Sequence, residues 1–403
     1  MEIAERYLEL ALRLGRHLDG LVDSYYGPSK LAERVGGQEP PATRELVRDA
    51  ATLIDALERD DVLDRQRRRW LLAQLIACHT VARRLAGESF AYVTEVELCF
   101  DVKPRRLPPP RLVAMHRALD EALPGRGELA PRYQEWLAML AVPPDKLIAA
   151  LESLAVDFRE RSERRFGLPP GAAVEFELVS GKPWGASNTY LGGYKSHLAF
   201  NTDVGFDAPL LAQLVAHELF PGHLTERSIK EHLLVHGRGW LEETLAIGTG
   251  PRVAIGEGIA ETAFDVLLGD EAHNVVGEHF RAVGLDYDAH SVRAVWRAMA
   301  VGEQFDILSH AALMLHVDGA TRDEAHEFIS RWSLLPAPRV EVMLDFVTHP
   351  TWRATAACYS EGRRLVTRFV GRDDARFRRL LSEQLLPVDL DEPNASRISV
   401  VRR

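Results

Sequence analysis

From residue 3 to residue 22 the apolar positions Tyr7, Leu8, Leu10, Ala11, Leu14, Leu18 and Leu21 recur at three- and four-residue steps, with polar residues between them. That period marks an amphipathic helix. It returns over 43–57, 64–85, 112–123 and 143–166, where Leu147, Leu151, Leu154 and Phe158 form one stripe. Tyr25-Tyr26-Gly27-Pro28, the glycine- and proline-bearing stretch 36–41 and the proline tract 104–110 punctuate these helices, because proline supplies no N–H and crowds the preceding turn. After Pro169-Pro170-Gly171 the period drops to two. Residues 174–179 and 196–201 alternate as strands do, across a link containing Gly185, Gly192 and Gly193. From Pro209 onward helical spacing resumes, interrupted at Gly237-Arg238-Gly239, Gly248-Thr249-Gly250-Pro251 and Leu335-Pro336-Ala337-Pro338. The pattern predicts a mainly α protein with one small sheet: an N-terminal helical region, 1–168, and a region 169–403 holding the sheet and the remaining helices. The two form lobes around a cleft or one integrated domain.

Composition narrows the class. With 403 residues, 46% of them hydrophobic and 27% charged, the chain can bury a large core. Its formal net charge of −10 argues against a partner bound through its phosphate backbone. The basic run Arg65-Gln66-Arg67-Arg68-Arg69 alternates with Leu63, Trp70, Leu71 and Leu72 and reads as the solvated face of a helix; Arg402-Arg403 is the other basic cluster. Cys78, Cys99 and Cys358 stand far apart with no CxxC pair, which suggests neither a disulfide framework nor a thiolate zinc site and suits a reducing compartment. The N-terminus lacks the basic-then-apolar order of a signal peptide, and no run of about 18 apolar residues occurs. A cytoplasmic protein with no membrane or nucleic-acid partner is expected, its oligomeric state unread.

One segment carries chemistry. Asp207 can cap a helix that opens with Pro209 in its first turn and presents Leu210, Leu211, Leu214 and Val215 to the core. His217 and Glu218 end that apolar stripe. Ionisable groups there need a partner, since burying an unpaired charge is costly. His217-Glu218-Leu219-Phe220-Pro221-Gly222-His223 reads as a variant of the zinc-hydrolase grammar, in which two neutral imidazoles hold the ion and the glutamate serves as general base. The second histidine of the common HExxH motif follows after four residues, whereas His223 follows after six. On a straight helix the two rings would point ~240° apart. Pro221 must therefore break or bulge the helix, and Gly222 must give the freedom that returns His223 to the side of His217. A third ligand is expected from Gly256-Glu257-Gly258-Ile259-Ala260-Glu261, where Glu257 and Glu261 lie one turn apart among small residues that admit another helix. Glu257 is assigned to the metal and Glu261 to orienting a ligand histidine. His232 and His236, spaced i,i+4, are the competing pair.

These residues resemble a family of bacterial proteins of formally unknown function with the signature HExxPGH, similar to zinc metallopeptidases whose third ligand is a glutamate. The signature falls on His217, Glu218, Pro221, Gly222 and His223. The family's Glu-Gly-Trp-Ala appears as Glu257-Gly258-Ile259-Ala260, with isoleucine in place of tryptophan. Its C-terminal proline and Tyr-x-x-Gly match Pro350 and Tyr359-Ser360-Glu361-Gly362 at a longer interval. The likeness covers roughly residues 170–365. It implies a zincin-like, mostly helical fold with a small sheet at the active-site cleft.

The expected chemistry is a zinc-activated water attacking a peptide or small amide carbonyl, with Glu218 shuttling the proton. Tyr359 is the candidate donor to the oxyanion, Arg353 a candidate fork for a substrate carboxylate, and the strand 196–201, with His197 and Asn201, the candidate wall for an extended substrate. An amidase of a small non-peptide substrate, or a helical binding protein keeping metal for structure, are the alternatives. No Gly-x-Ser-x-Gly elbow, Walker loop or dinucleotide fingerprint occurs.

Overall fold

The computed structural model of the chain describes residues 2–182, 185–301 and 306–391, so the basic pair Arg402-Arg403 lies outside the described residues. Among the described residues helices dominate, and the strands form three small sheets. The first helix, Ile3–Gly15, buries Tyr7, Leu8, Leu10, Ala11 and Leu14 as its period predicts. It stops well before Val22. Leu18 and Leu21 prolong the apolar beat, but Gly20 takes a φ of +72° and packs on Trp352, leaving 2.6 Å between an added Cβ and the indole ring. The chain turns there, and Val22–Tyr25 instead runs as a strand antiparallel to Leu245–Ile247.

The helix Arg65–Leu85 begins where its cap dictates, with the Asp64 carboxylate accepting from the backbone N–H groups of Gln66 and Arg67. Its basic run is not simply a solvated face. Arg67 reaches inward to form two bonds, 2.7 and 2.8 Å, with Glu242, whose side chain is fully buried. Arg69 pairs with Asp389. A glutamate inside the protein requires such a cation, and Arg67 satisfies it with a planar fork. One apolar core extends from Tyr7 through Leu390, and the regions on either side of residue 168 share it. Among the described residues no helix is long and apolar enough to cross a membrane.

The predicted strands appear as Ala173–Val179 and Lys195–Asn201, paired in parallel. Between them the sequence forms a third strand, Ala186–Gly192, antiparallel to the second. Lys195–Asn201 is therefore the middle strand, and Ala186–Gly192 is an edge.

Glycine also decides how the helices of the site meet. Pro251–Leu268 crosses Ala356–Val370 where Gly258 faces Gly362. A Cβ on Gly258 would stand 2.4 Å from the Gly362 carbonyl oxygen, and one on Gly362 would stand 2.2 Å from that of Ala254. The Glu-Gly and Tyr-x-x-Gly elements are thus two halves of one backbone contact.

Candidate metal centre

The helix Ala208–Glu218 opens as the sequence predicts. Asp207 accepts from the Leu210 N–H at 3.0 Å, and Pro209 occupies the first turn. It ends at Glu218, the Phe220–Pro221 peptide is cis, and a new helix, His223–Lys230, starts at His223. The break follows from Pro221, which could not continue the turn above the His217 carbonyl. Gly222 takes a conformation closed to other residues, as expected. Its φ is −75° and its ψ −136°. An added Cβ would lie 1.8 Å from the His217 carbonyl oxygen and 2.5 Å from that of Ala216. The backbone doubles back so closely that no side chain fits. The Gly222 N–H donates to Ala216 at 3.0 Å, and the Thr225 hydroxyl and N–H both donate to the Leu219 carbonyl.

This reversal brings the two rings together, with centroids 4.9 Å apart and planes at 84°. Glu257 stands against both: Oε2 lies 3.6 Å from His217 Nε2 and Oε1 lies 3.7 Å from His223 Nε2. Atoms each ~2.0–2.2 Å from one zinc-type ion would have such separations. Among the described residues, His217, His223 and Glu257 are the only three or more His, Cys, Asp or Glu side chains whose ligand atoms approach within 4.8 Å of one another. Glu257 Oε2 is buried and has no hydrogen-bond partner. A carboxylate oxygen left in that condition beside two imidazole nitrogens fits a divalent cation. Glu261 Oε1 approaches His217 Nδ1 at 3.3 Å, the position that turns Nε2 of that ring toward Glu257.

The electrostatics follow from burial of like charges. Burial lifts the Glu257 pKa to about 8; His217 opposes the rise and Glu218 and Glu261 add to it. Burial works against charge on His217, but the bond to Glu261 and the charges of Glu218, Glu261 and Glu257 outweigh it and lift its pKa to about 10. His223 is held well below its ordinary value by burial and by the charges of His217, Arg227 and Arg252. Burial, then Glu257, Glu218 and Glu261, push the Tyr359 hydroxyl well above its usual range, so it remains a donor.

The cluster opens into a cleft of about 520 Å³ that also exposes Glu218, Asn188, Arg227, Arg252, Trp352 and Tyr359. Asn188, which sequence reasoning missed, donates through Nδ2 to the Glu218 carbonyl at 3.0 Å and to its carboxylate at 3.1 Å. It holds the Glu218 side chain over the cleft. The Tyr359 ring packs edge-on against Phe346, and both line the cleft.

Other expected residues are not brought here. Arg353 turns away to Glu95, a buried carboxylate that Arg84 also binds, and its guanidinium is thereby engaged. The cations that do face the cleft are Arg227, bonded to Asp23, and Arg252, bonded to the Leu245 carbonyl. His197 lies across the sheet beside Glu177 at 3.2 Å. Asn201 bonds the Lys182 carbonyl and accepts from the Asp203 N–H, closing a turn. Their strand has neighbours on both edges and cannot add a substrate strand; residues 186–189 of the edge strand line the cleft instead. His232 bonds Tyr194 and His236 pairs with Glu231, away from the cluster.

No family model matches the sequence, and comparison with curated proteins finds no match. Solved structures do resemble it. A "putative lipoprotein" from Colwellia psychrerythraea is 15% identical with a TM-score of 0.53, over 90% of this chain and 68% of that one. A "putative lipoprotein of unknown function" from Shewanella oneidensis is 13% identical with a TM-score of 0.49, over 96% and 83%. The first likeness extends to the fold and no further.

Proposed function

We propose that the protein is a zinc-dependent hydrolase of zincin-like architecture that cleaves a carbonyl–nitrogen bond in a peptide or other amide. His217, His223 and Glu257 hold the ion. The observation that carries this reading is the Glu257 carboxylate, set against two imidazoles in the wall of a cleft that Glu218 also lines, with one oxygen buried and unpartnered. The HExxPGH resemblance supports the same reading.

A zinc ion held by His217, His223 and Glu257 would supply Lewis acidity to the carbonyl and make water a better acid at neutral pH. Glu218 accepts the proton of the attacking water and delivers it to the leaving nitrogen. Asn188 keeps the Glu218 carboxylate in position through its 3.1 Å bond. Tyr359, protonated throughout, donates to the carbonyl oxygen as negative charge builds on it. Glu261 fixes the orientation of His217. The edge strand offers backbone groups to an extended substrate, and Arg227 and Arg252 favour an anionic group beside the scissile bond.

The test compares wild-type protein with His223→Ala and Glu218→Gln. His223→Ala should lose bound zinc. Glu218→Gln should keep zinc and lose about 10²–10⁴-fold in hydrolysis of a peptide and acyl-amide library. Equal zinc content in wild type and His223→Ala overturns the ligand set, and undiminished hydrolysis by Glu218→Gln overturns the base.

A further inference from the structure

A second cavity, of about 410 Å³, lies beside the metal cluster and is walled mainly by Leu210, Trp296, Met299, Leu308, Leu335 and Met343. Its volume falls within the ~300–1,000 Å³ of small-molecule sites. These side chains come from four helices and one interhelical loop, and each is only partly buried because the cavity takes the place of a packing partner. Several polar groups of the wall are engaged elsewhere. Trp136 Nε1 donates to Ser291, the Tyr133 hydroxyl to Met299, and Asp207 accepts from Arg339 and the Leu210 N–H. Most of what faces the space is apolar.

The chamber adjoins the metal cleft in three ways. Tyr359 lines both. The helix Ala337–Thr348 turns Met343 to the chamber and, one turn on, Phe346 to the cleft. Leu210 and Gln213 line the chamber on the same face of the motif helix that ends in His217, and Gln213 precedes His217 by ~6 Å of helix rise. Glu261 also lines it. That side chain is 5% exposed; Oε1 holds His217, and Oε2 is buried without a hydrogen-bond partner. The chamber thus has apolar walls and one buried acceptor beside a metal ligand. An apolar body with an N–H donor at its inner end fits it.

We propose that the chamber binds the apolar portion of the substrate, a long alkyl chain or aryl group, while the adjoining amide lies at the metal. The hydrolase then acts on N-acyl or otherwise lipophilic amides rather than on polar peptides at large. This rests on the hydrolase reading for its chemistry, but the chamber binds without turnover.

Full-length Glu218→Gln protein is titrated calorimetrically with acetyl-, hexanoyl- and dodecanoylglycine. Affinity should rise up to about fourfold per methylene until the chamber is full, the ratio that burial of one methylene gives. Met343→Trp and Leu210→Trp, on separate helices, fill the chamber and should abolish that gain while binding acetylglycine as the parent does; melting curves identify any variant that fails to fold. No gain with chain length in the parent protein overturns the proposal, as does a gain that survives in a folded filled variant. A chain-length gain without hydrolysis by wild type keeps the chamber and dismisses the hydrolase. Hydrolysis of short amides without the gain does the reverse.

Discussion

Glu231 and Glu257 are both largely shielded and both stand beside histidine, and their surroundings are opposite. Glu231 receives the Tyr190 hydroxyl, the Gly193 N–H at 2.9 Å, the Tyr194 N–H at 3.4 Å and His236 at 3.1 Å. Its charge is spread over donors from a strand, a turn and its own helix, and it ties them together. Glu257 has two imidazole nitrogens at 3.6 and 3.7 Å and a buried oxygen with no partner. Residue type is the same; the supply of donors differs. The saturated carboxylate is a clamp, and the unsaturated one is the proposed ligand of a cation.

The sharpest way to break this comparison is to neutralise each glutamate. Glu257→Gln should weaken zinc retention by more than ~100-fold, beyond the usual cost of losing a residue that merely orients a ligand, as read by chelator competition. Retention equal to wild type would make the two glutamates equivalent. Glu231→Gln should leave zinc binding unchanged and lower stability to urea by about 1–3 kcal/mol, the cost of leaving buried donors poorly satisfied. The smallest effect is on pH dependence. The Glu257 pKa, about 8, exceeds its ordinary 4.5, and the His217 pKa, about 10, exceeds 6.5, so between those limits the folded chain holds protons the unfolded chain has released. Stability of metal-free protein should fall as pH rises from about 6.5 to about 10, most steeply between 6.5 and 8 where the windows overlap; below 6.5 the proton that only the unfolded chain carries on His223 offsets the one that only the folded chain keeps on Glu257. Thermal melts check the sign, and Glu257→Gln should flatten the fall between 6.5 and 8.

What could be read in advance was local. The helices Thr43–Glu58, Arg65–Leu85 and Pro144–Phe166 lie within a residue or so of their apolar periods because each buries a stripe it carries itself. The meeting of His217 and His223 was legible because a proline beside a misplaced spacing dictates its own geometry, and the approach of Glu257 because its helix carries acidic and small residues together. The edge strand Ala186–Gly192 was not: its Ala-Ser-Asn-Thr-Tyr-Leu-Gly run lacks an apolar alternation, and the partner that makes it a strand lies elsewhere in the chain. Asn188 was invisible for the same reason, its bond to Glu218 being a product of the tertiary fold. Arg353 was misread because the choice between substrate and Glu95 depends on a carboxylate from a distant helix.

The Gly258–Gly362 crossing bears on how far the protein can be reduced. All three proposed ligands lie before residue 258, which invites cutting the chain into a miniature zinc module. The helix that carries Glu257 is nevertheless seated on one that begins about a hundred residues later, in a notch left only by the lack of two side chains. The ligand set is contiguous in sequence and indivisible in space. A fragment ending before Ala356 would carry every ligand and lack the surface against which the helix bearing Glu257 is seated.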